Sequence, residues 1–165
     1  MRIISYNVNG IRAAFTKDFL GWLKIADPDV ICIQESKAGN DQIDIESLEK
    51  IGYKSYWHSA QRKGYSGVGI ASKTEPLHVE YGCGIEHYDS EGRVMRADFE
   101  GFSVISVYVP SASNIERLGF KMQFCEDFLV YINELRKTIP NLIISGDFNI
   151  CHEAIDIHNP EGLKN

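Results

Sequence analysis

Two predicted strands of this sequence end in acidic and amide side chains that could hold a metal ion or activate water. Glu35 directly follows the apolar run Val30–Ile33, which would hold its carboxylate at the rim of a buried strand. Asp147 and Asn149 follow the run Leu142–Ser145. Residues two apart in an extended chain point to the same side. The carboxylate of Asp147 and the amide of Asn149 would therefore face one site.

The end of the first predicted strand repeats this spacing with Asn7 and Asn9. These strand ends offer carboxylate and amide oxygens without thiolate or imidazole, which is the ligand set that Mg²⁺ or Mn²⁺ prefers. Hydrolysis of a phosphodiester needs an activated water, neutralisation of the phosphate charge and help for the departing oxygen. Glu35 would hold the metal, Asp147 would hold and deprotonate the water, and Asn149 would position the water or the phosphate.

Tyr108, in the segment Ser-Val-Tyr-Val-Pro, would donate a hydrogen bond to a phosphate oxygen. Each candidate also has a structural interpretation. Tyr108 would be a packing residue with a satisfied hydroxyl, and Glu35 would cap a helix. Asp147-Phe148-Asn149 and Asn9-Gly10 would be turns. The chemical interpretation rests on the set, because the combination is less expected by chance than any one member.

Apolar patterning predicts a mixed α/β chain that positions these residues. The predicted strands are Arg2–Tyr6, Val30–Gln34, Tyr53–His58, Val68–Ser72, Val94–Phe99, Val104–Val109 and Leu142–Ser145. The predicted helices are Phe15–Ala26, Ile45–Ile51 and Leu118–Lys137. The last helix would carry on one face Leu118, Met122, Cys125, Leu129, Ile132 and Leu135.

The strands Val30–Gln34 and Leu142–Ser145 are almost continuously apolar, which is typical of strands covered on both faces. The predicted helices would cover one face. Cover for the other face would come from strands that fold back within the chain, or it would be missing. In the second case we expect a large exposed apolar sheet face. The chain would then aggregate, pair with itself through that face, or need a separate second half.

The totals describe one ordinary domain of 165 residues with 44% hydrophobic and 24% charged residues. The net charge of −6 argues against a protein that coats nucleic acid non-specifically, while allowing a basic rim around an acidic centre. The 4 cysteines form no C-x-x-C pair, so we expect reduced thiols and a cytoplasmic protein. No apolar run approaches the length of a membrane span, and the N-terminus has no signal pattern.

Segments along the whole chain resemble, in order, the exonuclease III type of apurinic/apyrimidinic endonucleases. Ser5–Ala13 is similar to the opening of that family, and Asp29–Lys37 is similar to its metal-glutamate segment. The similarity continues through Gly64–Gly69, Glu91–Val94, Tyr108–Pro110, Gly146–Asn149, His152–Asp156 and Asn159–Pro160. No single motif is decisive, but the ordered set is highly specific.

The resemblance implies a four-layer α/β sandwich of the DNase I type, with two sheets face to face and helices outside. It implies that Glu35 binds Mg²⁺ or Mn²⁺, with Asn7 close to it. Asp147 would activate the water, Asn149 would stabilise the transition state, and both would lie at the metal. Tyr108 would contact the phosphate.

The resemblance also places Lys37, Tyr65 and Arg93 in segments similar to DNA-facing loops. Arg62 and Lys63 would add phosphate contacts that position DNA without reading its sequence. A solvated charge or an exposed ring is the alternative interpretation. The implied partner is double-stranded DNA with abasic sites or blocked 3′ ends. The implied activity is incision 5′ to the abasic site, with 3′→5′ exonuclease action or removal of 3′ blocking groups.

Family members continue past the end of this sequence, so residues 1–165 would be the N-terminal part of one such domain. The absent part would carry the partner sheet and a late Asp-His pair, so this chain would hold only the N-terminal sheet and its helices and would expose a large apolar sheet face. None of the 5 histidines takes that role by motif; they are His58, His78, His87, His152 and His158.

Two other functions stay open at this point. One is a phosphoesterase of the same fold that acts on an inositol phosphate or a lipid headgroup. The other is a non-catalytic binding or assembly module. The segments Tyr65–Gly69 and Glu91–Val94, which resemble the DNA enzymes, favour a DNA substrate over the first alternative.

Overall fold

The computed structural model describes residues 1–112, 114–151 and 153–156. Its strands are β1 (Ile3–Asn7), β2 (Val30–Gln34), β3 (Lys54–His58), β4 (Val68–Ser72), β5 (His78–Tyr81), β6 (Val94–Phe99), β7 (Phe102–Tyr108) and β8 (Leu142–Asp147). Its α-helices are α1 (Ile11–Thr16), α2 (Phe19–Ala26), α3 (Ile45–Lys50), α4 (Glu86–Asp89) and α5 (Ile115–Leu135). Short 3-10 helices span Asn40–Gln42 and Ala154–Asp156.

In the described part of the chain the strands form two four-stranded sheets. The first sheet has the order β1-β2-β4-β3, with β1 parallel to β2. The second has the order β5-β6-β7-β8, with β7 parallel to β8. The edge strands β1 and β8 lie close to each other across the sandwich. Both sheets therefore end in an open strand edge on the same side of the molecule.

Apolar clusters fill the spaces between four layers. The outer face of the first sheet packs on α1, α2 and α3 through Ile31, Ile33, Leu23 and Leu48. The inner faces of the two sheets meet through Val30, Cys32, Ile70, Met95 and Val104. The second sheet packs on α4 and α5 through Ile105, Val107, Tyr88 and Phe124. Because strand residues alternate between faces, β2 contributes to two of these clusters. The predicted four-layer α/β sandwich is confirmed.

The expectation that the chain would hold one sheet with a bare apolar face is wrong. All 5 residues of Val30–Gln34 are buried, because the second sheet covers the face that the helices leave open. Leu142–Asp147 is only half-buried along its length, because β8 is an edge strand. On this side of the molecule the described sandwich therefore exposes the edges of β1 and β8 rather than an apolar sheet face. Within the described ranges, no helix is both long and apolar enough to cross a bilayer.

The predicted helix Phe15–Ala26 is two helices in the structure, because Asp18 interrupts it. Asp18 has a left-handed backbone, with φ 62°, and its carboxylate accepts the N–H of Gly21. An aspartate in this position caps the helix that follows it. The short elements β5 and α4 were not predicted.

Helix α5 has nearly the predicted extent, and it buries part of the predicted face. Leu118, Met122 and Leu129 are exposed, whereas Phe124 and Ile132 are buried against the second sheet. Phe124 also packs edge-on against Tyr88 of α4, with ring centroids 4.8 Å apart. The predicted face is therefore split. Ile132 packs on the sheet with Cys125 and Leu135 beside it, while the three exposed residues face solvent.

Candidate active site

Strand ends from both sheets bring Asn7, Glu35, Tyr108 and Asp147 into one hydrogen-bonded group, called the site cluster below. Asn7 ends β1, Glu35 follows β2, Tyr108 ends β7 and Asp147 ends β8. Nδ2 of Asn7 donates to Oε1 of Glu35 at 2.8 Å and to Oδ2 of Asp147 at 2.7 Å. The hydroxyl of Tyr108 donates to the same Oε1 of Glu35 at 2.9 Å. Four residues that the sequence predicts as site residues thus lie in direct contact.

The backbone at Glu35 is left-handed, with φ 55°. This conformation costs a non-glycine residue on the order of 1 kcal/mol or more, and it persists only where neighbouring contacts hold it. Here the Glu35 carbonyl accepts the N–H of Gly10 at 2.7 Å, and the N–H of Ser36 donates to the Gly67 carbonyl at 3.1 Å. The chain therefore turns sharply at the end of β2, and the Glu35 carboxylate enters the site cluster.

Lys37 supplies a positive charge inside the site, with Nζ 2.6 Å from Oε2 of Glu35. Partial burial acts to raise the pKa of Glu35, but hydrogen bonds from Asn7, Lys37 and Tyr108 and the charge of Lys37 outweigh it. The pKa of Glu35 therefore lies below its ordinary value. Burial, followed by the hydrogen bond to Glu35 and the Glu35 charge, raises the pKa of Tyr108. Tyr108 thus remains a protonated donor beside an ionised carboxylate at neutral pH.

The segment from Gly146 to Asn149 forms a tight turn that orients Asp147. The backbone N–H of Asn149 donates to Oδ1 of Asp147 at 2.9 Å, while Oδ2 faces Asn7. Nδ2 of Asn149 donates to the Val109 carbonyl at 2.9 Å. A side chain at position 146 would overlap the Val107 carbonyl, so β8 requires glycine there. The turn that was the structural alternative for Asp147 therefore forms, and it aims one carboxylate oxygen into the cluster.

The donor set of the site cluster fits a hard divalent cation. Glu35 and Asp147 place carboxylate oxygens on either side of one Asn7 amide, and no soft ligand is among them. A cavity of about 590 Å³ is lined by Asn7, Asp147 and Asn149, among others. Among the described residues, no group of three or more His, Cys, Asp or Glu side chains is placed to hold a metal. The site cluster itself offers two carboxylates, a number that oxygen-rich divalent-cation sites commonly take from the protein.

The residues predicted to contact DNA occupy different environments. Arg62 and Lys63 are exposed on the loop before β4, and the Arg62 guanidinium lies 5.2 Å from the ring centroid of Tyr65. Lys37 is inside the site, as described above. Arg93 is only 1% exposed, so its guanidinium lies under the surface, and its contact with DNA stays a prediction.

Arg93 instead joins several segments around the site. Its Nε pairs with Oε2 of Glu91 at 2.6 Å, and NH1 donates to the Tyr108 carbonyl at 3.0 Å. NH2 donates to the Tyr65 hydroxyl at 2.9 Å, and the guanidinium also lies 5.1 Å from the Tyr108 ring centroid. The sequence does not reveal this burial, because an arginine beside a glycine is usually exposed.

Arg117 and Lys121, on the first turns of α5, were missed by the sequence reasoning. Arg117 donates to the Tyr65 hydroxyl at 3.0 Å, and the Lys121 ammonium donates to the Asn149 carbonyl. Both basic groups therefore reach the neighbourhood of the site. The signal was their spacing of four residues, which puts them on one helix face.

The histidines in the described ranges contact other parts of the molecule. Nδ1 of His58 lies 3.0 Å from the Val94 carbonyl, and His78 lies against Glu80. His87 packs on the ring of Tyr88. His152 and His158 lie outside the described residues. Whether a histidine of this chain takes a catalytic role stays a prediction.

Comparison with known proteins gives relatives with the same architecture. The chain is 46% identical to an exodeoxyribonuclease of Bacillus subtilis, over 100% of this chain and 65% of the relative. The structure of an AP endonuclease from Archaeoglobus fulgidus superposes with a TM-score of 0.87 at 35% identity, over 100% of this chain and 63% of that one. The chain therefore spans slightly less than two thirds of these proteins.

A third match is the structure of the 3′ phosphatase NExo from Neisseria, bound to a product DNA hairpin. It has a TM-score of 0.86 at 26% identity, over 98% of this chain and 63% of that one. The model of the Endonuclease/Exonuclease/phosphatase family matches residues 4–165. A match over nearly the whole sequence, together with the fold, leads to one assignment: this chain belongs to the Endonuclease/Exonuclease/phosphatase family.

Proposed function

We propose that this chain carries the centre of a metal-dependent DNA phosphodiesterase that incises DNA 5′ to abasic sites. Removal of 3′ blocking groups or 3′→5′ exonuclease action would accompany this incision. The observation that carries the proposal is the convergence of Asn7, Glu35, Tyr108 and Asp147, from both sheets, in one oxygen-rich cluster. The named activities of the relatives, which all concern DNA ends or AP sites, support DNA as the substrate.

Each residue of the site has a role that its contacts support. Glu35 and Asp147, with Asn7 beside them, would hold Mg²⁺ or Mn²⁺, which would neutralise phosphate charge and the developing charge on the departing oxygen. Asp147 is held by Asn7 and Asn149 in one orientation, so its carboxylate can accept a proton from the attacking water. Tyr108 stays protonated and can donate to a phosphate oxygen. Asn149 lies at the rim of the cavity, where its side chain can orient the water or the phosphate.

A basic rim around the acidic centre would bind the DNA backbone despite the net charge of −6. Arg62 and Lys63 are exposed for this role. Arg117 and Lys121 extend the rim along α5. Lys37 would contact DNA once it leaves Glu35. Tyr65 accepts hydrogen bonds from Arg93 and Arg117, so its own proton remains for a phosphate.

We also propose that the enzyme works with a partner segment and in the cytoplasm. The open edges of β1 and β8 carry Asn7 and Asp147, so a polypeptide that extends both sheets would adjoin the site. The last third of the relatives is the proposed occupant, because this chain spans 65% of the Bacillus protein. The 4 cysteines of the sequence all lie in the described ranges and are free, which fits a reducing compartment.

The first test is cleavage of a DNA duplex with a single abasic site by the purified chain. The reactions contain Mg²⁺ or a chelator, each with and without the C-terminal third of the Bacillus exodeoxyribonuclease. We expect metal-dependent incision that Glu35→Gln and Asp147→Asn each reduce about a hundredfold or more. Glu46→Gln is the matched control, because Glu46 pairs with Lys50 on the surface of α3, away from the site.

Three results would contradict the proposal. Incision that persists with chelator would remove the metal role. Cleavage of inositol phosphates but not of abasic DNA would assign the site to another phosphoester. Tight DNA binding without cleavage, even with the C-terminal third present, would identify a binding module.

A further inference from the structure

A second layer of polar side chains lies under the site cluster, one step further along the same strands. This layer contains Ser5, Ser106 and Ser145, each of which stands two residues before a residue of the site cluster. Its fourth member is Gln34, which immediately precedes Glu35. Because alternate strand residues share a face, the three serines point toward the same side as Asn7, Tyr108 and Asp147. The polar layer therefore lies between the sheets, where the neighbouring contacts are apolar.

Gln34 and Ser106 link the two sheets through hydrogen bonds in this layer. Nε2 of Gln34, on the first sheet, donates to Oγ of Ser106, on the second sheet, at 3.1 Å. Oγ of Ser106 donates in turn to the Ile33 carbonyl of the first sheet at 3.3 Å. Oε1 of Gln34 accepts from Ser5 at 3.2 Å. Gln34 is 1% exposed and Ser106 is fully buried, so the two bonds of Ser106 form away from bulk water, whereas Ser5 is exposed at the edge of β1.

Buried hydrogen bonds of this kind restrict the relative position of two sheets more than apolar contacts do. Apolar side chains keep much of their contact when one sheet slides slightly over another, because dispersion attraction is not directional. A slide that breaks the bond between Gln34 and Ser106 leaves a buried amide and a buried hydroxyl unpaired, which is costly. The pair therefore favours one alignment of the sheets at this point.

The site needs that alignment, because the hydrogen bonds that join the two sheets within the site cluster are made by the same side chains that would hold metal and phosphate. Asn7 and Glu35 belong to the first sheet, whereas Tyr108 and Asp147 belong to the second. Their contacts must loosen when a metal ion and a phosphate enter. We propose that Gln34 and Ser106 are positioning residues, which hold the two halves of the site in register while its own hydrogen bonds exchange. This inference rests on the proposed function, since it gives the pair a role at that site.

The test uses the double variant Gln34→Met/Ser106→Ala in the full chain. Replacing both partners with apolar groups of similar shape leaves no unpaired amide, so we expect a urea midpoint near that of wild type. The readout is the side-chain amide signal of Asn7 in nitrogen-15 NMR, because this amide bonds to both sheets. We expect line broadening and faster solvent exchange. We also expect Mn²⁺ affinity, followed by electron paramagnetic resonance, to fall about tenfold or more.

Ser72→Ala is the matched control for Ser106→Ala. Ser72 is also fully buried, and its hydroxyl donates to the Thr74 carbonyl at 2.7 Å without linking the sheets. We expect Ser72→Ala to lower the urea midpoint and to leave the Asn7 signal unchanged. The proposal would be overturned if Ser72→Ala and Ser106→Ala changed the Asn7 amide signal equally. It would also be overturned if the double variant left that signal unchanged. A wild-type chain that binds no Mn²⁺ would contradict the metal role alone, because the Asn7 signal tests positioning without metal.

Discussion

At the scale of single residues, the site depends on charges that neutralise one another at short range. Glu35 accepts from Asn7, Tyr108 and Lys37. In the described structure, the Lys37 ammonium stands beside the carboxylate that would hold a cation. Lys37 and a metal ion are therefore competitors for Glu35, and the strength of this competition can be measured.

We predict that Lys37→Met raises the affinity of the chain for Mn²⁺ in the absence of DNA. A partly exposed ion pair is worth up to about 1 kcal/mol, so the expected gain is up to about fivefold. Isothermal titration calorimetry would measure it. Lys50→Met is the control, because Lys50 pairs with exposed Glu46 at a similar distance of 2.7 Å. Weaker Mn²⁺ binding by Lys37→Met would show that the lysine supports the metal instead of competing with it.

A second prediction separates Arg93 from the exposed arginine of the same surface. Arg93→Met removes a buried guanidinium that bonds to Tyr65 and to the Tyr108 carbonyl, which should cost roughly 1 to 3 kcal/mol of unfolding free energy. Arg62→Met should leave that free energy unchanged within about 0.5 kcal/mol, because it alters an exposed side chain. It should weaken DNA binding instead. Urea unfolding and fluorescence anisotropy with a labelled duplex would measure the two effects. A stable Arg93→Met protein that binds DNA poorly would identify Arg93 as a DNA contact.

At the scale of elements, the strands fix where the site residues stand, and helix α5 shows how packing selects a face. Its apolar residues form an aliphatic stripe and an aromatic stripe. The aromatic stripe packs on the second sheet, with Phe124 and Phe128 stacked at 5.6 Å. The aliphatic stripe of Leu118, Met122 and Leu129 stays exposed. Large rings bury more apolar area than aliphatic side chains, so the face that carries Phe124 and Phe128, together with Ile132, packs on the sheet.

This choice of face predicts a contrast between two substitutions in one helix. Phe124→Ala should lower the unfolding free energy by about 3 to 5 kcal/mol, because it leaves a cavity under α5. Leu118→Ala should change it by less than about 0.5 kcal/mol, because the side chain is exposed. Urea midpoints of the two variants give the comparison. Similar losses for both would mean that something covers Leu118 in solution.

The sequence located several elements well because their signals are local. The predicted bounds of β2, β4 and β6 agree with the structure, since these strands are apolar and end at turns. Their position at the ends of strands also predicted that Glu35 and Asp147 would lie near each other, and both accept from Asn7 in the structure. It did not reveal the link between Gln34 and Ser106, because no local pattern shows which residues face each other across two sheets. The burial of Arg93 and the choice of face in α5 were hidden for the same reason.

At the scale of the whole molecule, the proposed site lies on the side of the sandwich where, among the described residues, both sheets end in an unpaired strand edge. The edge strands β1 and β8 present backbone N–H and C=O groups that another strand can pair with. Exposed apolar residues accompany these edges, among them Tyr6 and Phe148. An unprotected edge next to a functional site favours a partner that extends both sheets.

We predict that the C-terminal third of the Bacillus exodeoxyribonuclease forms a one-to-one complex with this chain and increases incision. Tyr6→Lys on β1 should weaken the complex, because it places a charge at the open edge. Tyr81→Lys on β5, at the opposite edge, should leave the complex unchanged. It is a matched control, because Tyr6 and Tyr81 are 44% and 49% exposed. Light scattering after size exclusion would measure the association. Self-association of the chain alone, equally sensitive to Tyr6→Lys, would make a second copy the occupant. A monomer with full activity would exclude both.

The hydrogen bond between Asn7 and Asp147 joins residues 140 positions apart in the chain. Protein synthesis adds roughly 5 to 20 residues per second, so on the order of ten seconds separate the emergence of these two residues from the ribosome. During that interval the nascent chain holds Asn7 and Glu35 without the second carboxylate. The site cluster therefore forms only after most of the chain has been translated, and the proposed activity would begin at that stage.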